Sequence, residues 1–114
     1  MFFAKLRPLP GADTLPDISE DYKGSRRVEK YRLGEKALYF PRGFSWEYLP
    51  LGNISEYRRV TRLIESENGV APFSMEVPAL RIFFCGRNEV LETEKEKNVL
   101  LLEDAFRAAA GRRD

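Results

Sequence analysis

The chain contains no histidine. That absence removes Ser-His-Asp and Cys-His arrangements from a single chain and takes away the commonest general base. A zinc site would have to be built from carboxylates and one thiol, a rare donor set. There is a single cysteine, Cys85, so no disulfide can form within the chain, and a reducing interior fits best. The opening residues MFFAKLRPLPGADTLP lack the apolar core of about 7–15 residues that a signal peptide needs. No apolar run approaches the ~20 residues of a membrane span. A soluble, cytoplasmic protein is expected. Excess charge is missing too: 19 basic against 18 acidic residues leave +1, which argues against a dedicated nucleic-acid binder. No glycine-rich phosphate loop or paired-acid motif occurs. Only carboxylate- or lysine-based chemistry stays formally open, so the expectation is a non-enzymatic protein without cofactor or metal.

What is present describes one ordinary domain. The chain has 114 residues, 43% apolar and 32% charged. A chain of this size buries roughly two-thirds of its unfolded surface, enough for a core without staples.

Residues 1–24 differ from the rest. Pro8, Pro10 and Pro16 favour extended or turn geometry, and Asp13, Asp17, Glu20 and Asp21 form an acidic stretch. The segment reads as an extended leader, not a helix. Phe2, Phe3, Leu6 and Leu9 are too apolar for a solvated tail. They are expected to lie against the body, residues 25–114, or against a second copy, making a homodimer by strand exchange.

From residue 25, glycines punctuate segments rich in β-branched and aromatic residues, at LGEK, PRGF, LGNI, ENGV and CGRN. This pattern predicts an all-β sandwich or barrel. The predicted strands are 26–33, 36–41, 44–50, 54–64, 71–77, 79–85 and 89–93. Asn68-Gly69 is a hairpin signal. Pro78 predicts a bulge or edge position. In the third strand Phe44, Trp46 and Tyr48 share one parity; in the fourth, Ile54, Val60 and Ile64 share one while Tyr57 and Leu63 take the other.

The tail changes period. Thr93 and Glu96 read as a capping box. Val99, Leu102, Phe106 and Ala109 follow at helical spacing, Glu103 and Arg107 can pair, and Gly111 can end the helix before Arg112 and Arg113.

Seven strands and one C-terminal amphipathic helix resemble the pleckstrin-homology-like fold. The phrases carrying the likeness are GEKALYFPRG, similar to an early hairpin, and ALRIFFCGRNEVLETEKEKNVLLLEDAFRAA, similar to the last two strands and helix. The likeness covers residues 25–111 and rests on element order. It implies a barrel of two near-orthogonal antiparallel sheets plugged by the helix. It also implies an interaction module that presents a sheet edge or surface to a peptide, protein or lipid. Phosphoinositide-binding members carry a lysine late in the first strand and a basic-x-Arg pair on the second. Here Lys30-Tyr31-Arg32 sits on the first, and the second, ALYF, has no base.

Two basic groups are the candidate binding residues. Arg58, Arg59 and Arg62, with Tyr57 and Tyr48 nearby, could recognise phosphate or carboxylate, since guanidinium offers a bidentate fork. Arg26 and Arg27 make a second group. The alternative is that these residues lie on solvated strand faces, paired with Glu29, Glu47 and Glu56. The aromatics from Tyr39 to Tyr48 are expected to fill strand faces, with the Tyr48 and Tyr57 hydroxyls near the surface. Cys85 is expected to be a buried structural thiol.

Overall fold

The computed structural model describes residues 5–66 and 73–111. In chain order the elements are β1 (Lys5–Pro8), α1 (Ile18–Lys23), β2 (Arg26–Val28), β3 (Tyr31–Leu33), β4 (Ala37–Arg42), β5 (Ser45–Pro50), a 3-10 turn (Leu51–Asn53), β6 (Ile54–Ser66), β7 (Phe73–Phe84), β8 (Arg87–Leu91) and α2 (Glu96–Gly111). They form a five-stranded sheet, ordered β1-β5-β4-β3-β2, and a three-stranded sheet, ordered β6-β7-β8. Every pairing is antiparallel except β1 on β5. The fold is therefore mostly β with one C-terminal helix. Among the described residues no strand pair joins the two sheets, and they do not close into a barrel. No helix there is long and apolar enough to cross a membrane.

The main core lies between the sheets and is closed by α2. Leu38, Phe40 and Leu49 from the first sheet meet Leu80, Ile82 and Leu91 from the second. Val99, Leu102, Phe106 and Ala109 supply the buried face of α2, the face its spacing predicts. A second cluster explains why ALYF is apolar at both parities. Ala37, Tyr39 and Tyr48 point away from the main core and are covered by Leu6, Leu15, Ile18 and Tyr22. The segment before residue 25 is thus the lid on the outer face of its own sheet. Its Leu9 joins the main core, and β1 lies on the β5 edge of the same chain. Phe2 and Phe3 lie outside the described residues.

Asp21 fastens that lid. Its carboxylate accepts the Glu35 and Lys36 N–H groups, both at 3.0 Å, and the Tyr39 hydroxyl at 2.7 Å. It fits because residue 34 is glycine: a Cβ there would stand 2.1 Å from Asp21 Oδ2. Burial first, then the Asp21 hydrogen bond, pushes the Tyr39 phenol well above its ordinary value.

Several expectations need correction. Residues 18–23 are helical, not extended: the three prolines all precede them, Glu20 and Asp21 complement the first turn, Lys23 the last, and Gly24 stops it. The segment 26–33 is a hairpin, β2 and β3, rather than one strand. Glu29 turns it with φ 58°. The strands expected at 71–77 and 79–85 are one, β7, which runs unbroken past Pro78 opposite Thr61, with Pro78 at the expected edge position. This is possible because β8 pairs only as far as Leu80, so proline's missing donor faces a side without a strand. Phe44 leaves the expected alternation and stands fully exposed at the β4–β5 turn beside Gly43. A register shift between Ile54 and Glu56 brings Ile54 to the face of Tyr57, while Leu63, opposite in parity to Val60 and Ile64, is left exposed. Asn68-Gly69 and Arg112-Arg113 lie outside the described residues.

The expected capping box is also not made. The buried Thr93 hydroxyl donates to the Pro78 carbonyl at 2.8 Å. Glu29 anchors the start of α2 instead. Its Oε2 accepts the Glu94 N–H at 3.1 Å, the Lys95 N–H at 3.2 Å and the Asn98 side-chain amide at 2.8 Å. Glu103 pairs with Arg59, and Arg107 with Asp104, so the expected helical pair is not formed.

Candidate binding edge

Open sheet edges are the feature of this fold that a partner could use, because each presents unpaired N–H and C=O groups. Three of the four outer strands are short. β1 spans four residues and ends in Pro8, β2 spans three, and β8 spans five. The fourth, β6, spans 13 residues with no proline or glycine. Beyond Leu80 it continues with β7 as a two-stranded ribbon.

The backbone parity of this edge follows from the turn at the other end of β7. Cys85 and Gly86 make a two-residue loop with φ 50° and 75°, the type I′ geometry. The closing pair, Phe84 and Arg87, is then hydrogen-bonded, and alternation makes Ile82 and Leu80 bond β8 as well. Pro78 has the same parity, and its carbonyl indeed turns away from β6 to take the Thr93 hydroxyl. The intervening residues Arg81, Ala79 and Val77 therefore bond Arg58, Val60 and Arg62. By elimination Tyr57, Arg59, Thr61, Leu63 and Glu65 direct their backbone groups to the side that carries no strand among the described residues.

The side chains along β6 grade from covered to bare. Tyr57 packs its ring 5.5 Å from Phe106 of α2. Leu63, out on the ribbon, is 52% exposed, and Met75 on β7 is 49% exposed.

The candidate arginines do not converge. Arg58 and Arg62 project from the opposite face of β6 to Arg59. Arg58 bonds Glu56 at 2.6 Å and lies over the Phe83 ring. Arg59 grips Glu103 with Nη2 at 2.8 Å and Nε at 3.1 Å, and Glu96 with Nη1. Glu103 first, then Glu96, pushes the Arg59 guanidinium further up. Arg62 donates to Glu92 at 3.0 Å, and Glu92 also takes Lys30 at 2.5 Å. The Lys30 hydrogen bond holds the Glu92 carboxyl below its ordinary value. Arg26 and Arg27 sit on β2 in the other sheet. Arg27 donates to the Glu29 carbonyl at 3.0 Å. Arg26 lines a surface depression of about 450 Å³ with Leu33, Glu35 and Leu51.

Two further residues sit differently from expectation. Tyr48 is buried, and its hydroxyl accepts the Leu15 N–H at 3.3 Å rather than reaching the surface. Cys85 is exposed, because the turn it occupies stands outside both sheets. Thr61 and Leu63 were not singled out by residue type. Their signal was parity: a two-residue CG loop and Pro78 on one strand together fix which groups of its neighbour face outward.

Comparison of the chain with protein-family models, curated proteins and solved structures gave no match.

Proposed function

We propose that the protein is a non-enzymatic interaction module of the pleckstrin-homology-like type, which binds a peptide or protein by taking an extended segment onto the free edge of β6. The observation that carries this reading is the length and openness of that edge. Strand addition draws affinity from main-chain hydrogen bonds and specificity from alternate side chains. An incoming strand would bond at Tyr57, Arg59, Thr61 and Leu63, beside the exposed Leu63 side chain. The ion pairs of Arg58, Arg59 and Arg62 disfavour the other reading, capture of an anionic headgroup, because a ligand would have to displace carboxylates already in place.

The test is selection from a displayed library of random peptides, followed by amide exchange of the complex. Peptides that slow exchange at Tyr57, Arg59, Thr61 and Leu63 support the proposal. Peptides that bind elsewhere and leave these amides as they are in the free chain overturn it.

A further inference from the structure

The open edge of β6 selects one partner by its own charge pattern. Resting on the strand-accepting reading above, we infer that a second copy of this chain pairs antiparallel with β6 about a two-fold axis through Thr61. Three features of the edge lead there.

The first is backbone parity. Only registers that place outward-facing residues opposite outward-facing residues can form a ladder. The two-fold axis must therefore pass through a residue of β6, not between two. The second is charge. With the axis at Val60 the whole strand, 54–66, pairs, but Arg58 falls opposite Arg62. With the axis at Arg62, residues 58–66 pair, and that arginine faces its own copy. Like charges directly opposite oppose pairing. With the axis at Thr61 residues 56–66 pair, and no two like charges are opposite. Arg59 then faces Leu63, Arg58 faces Ile64, Arg62 faces Val60 and Tyr57 faces Glu65. Arg59 also gains Glu65 as a diagonal neighbour. The like-charged diagonals that remain join Arg58 to Arg62 across the axis and Arg62 to its own copy, and the carboxylate partners Glu56 and Glu92 travel with them.

The third feature is Leu63, whose exposed side chain would lie against the aliphatic stem of the partner's Arg59. Charged side chains on an edge ordinarily deter association. Here the arginines deter the neighbouring registers about Val60 and Arg62, and leave 56–66 the longest overlap free of opposed like charges.

Leu63 makes the inference testable, because its neighbour within the chain is Glu76 and its neighbour across the axis is Arg59. Leu63→Arg would gain a partner within the monomer and set arginine against arginine twice in the dimer. Leu63→Glu would do the reverse. Sedimentation equilibrium of the full chain from micromolar to millimolar concentration is expected to show a rise towards twice the chain mass of 13.2 kDa. L63R is expected to weaken that association about tenfold, and L63E to strengthen it several-fold. Thermal stability measured at a concentration where each variant is monomeric should move the opposite way, which a merely structural effect on association would not do. A wild-type chain that keeps single-chain mass at millimolar concentration overturns the inference. So does a dimer whose affinity L63R leaves unchanged. A monomer whose edge amides are still protected by a library-selected peptide overturns the second-copy partner alone, leaving the strand-accepting edge intact.

Discussion

Glu29 joins two distant parts of the fold, and removing its carboxylate should cost both. The residue turns the β2–β3 hairpin and holds the start of α2 through the Glu94 and Lys95 N–H groups and the Asn98 amide. In Glu29→Ala these donors lose their acceptor, and the helix N-terminus loses a negative charge. Loss of a helix-terminal acceptor costs about 0.5–2 kcal/mol, and the helix-dipole contribution of an exposed charge is about 0.3–1 kcal/mol. Because Glu29 is only half-buried and water can replace it, a total near 1–2 kcal/mol is expected, or a Tm lowered by roughly 4–10 °C. Glu29→Gln keeps an acceptor and loses the charge, so it should fall between. The effect should depend on pH. Burial pushes the Glu29 carboxyl up, but the Asn98 amide, the Glu94 and Lys95 N–H groups and the Lys95 charge together bring it below its ordinary 4.5. A carboxyl lowered on folding adds stability above its unfolded value and loses it as pH falls through the folded value. The gap between wild type and Glu29→Ala should therefore be full at neutral pH and shrink as pH drops below about 4.5. Urea unfolding followed by circular dichroism at neutral and acid pH measures both. An alanine variant as stable as wild type at neutral pH, or a gap that widens in acid, would refute the role given to Glu29.

Gly34→Ala should cost about 1–3 kcal/mol, because a Cβ displaces the Asp21 carboxylate from three donors; denaturant unfolding checks it, and a neutral result would show that Asp21 does not fasten the lid. Tyr39, whose phenol is raised on folding, should stay protonated in the folded chain, so its contribution holds below about pH 10 and is lost as pH rises beyond it; Tyr39→Phe should flatten the alkaline decline, and ultraviolet titration should show one tyrosine ionising only on unfolding. Binding to anionic vesicles should be weak and abolished near physiological salt, since the net charge is +1 and surface attraction is screened within about 8 Å there; co-sedimentation at two ionic strengths decides it.

The face of α2, most strand positions and the mostly β class were legible in the sequence because each depends on local periodicity. What was not legible depends on distant partners. Thr93 reads as a helix cap from its own neighbourhood, but the Pro78 carbonyl claims its hydroxyl and frees the role for Glu29. The VEKY hairpin looks like continuous strand because nothing local announces a left-handed glutamate; α2 holds it there. ALYF is apolar at both parities, and its outer face is covered by residues 6–22, a contact no local pattern announces. The arginine groups were visible. Their dispersal was not, because the carboxylates that neutralise Arg59 and Arg62 come from α2 and from the segment after β8.

The open edge of β6 can be read amide by amide. Hydrogen exchange on a dilute, monomeric sample should alternate along the strand. The N–H groups of Arg58, Val60 and Arg62, bonded to β7, should exchange slowly, and those of Arg59, Thr61 and Leu63 should exchange fast, then slow when a strand docks. Uniformly slow exchange across all six in the dilute monomer, or outward amides that stay fast in an associated state, would contradict the proposal that this edge is where the protein receives its partner.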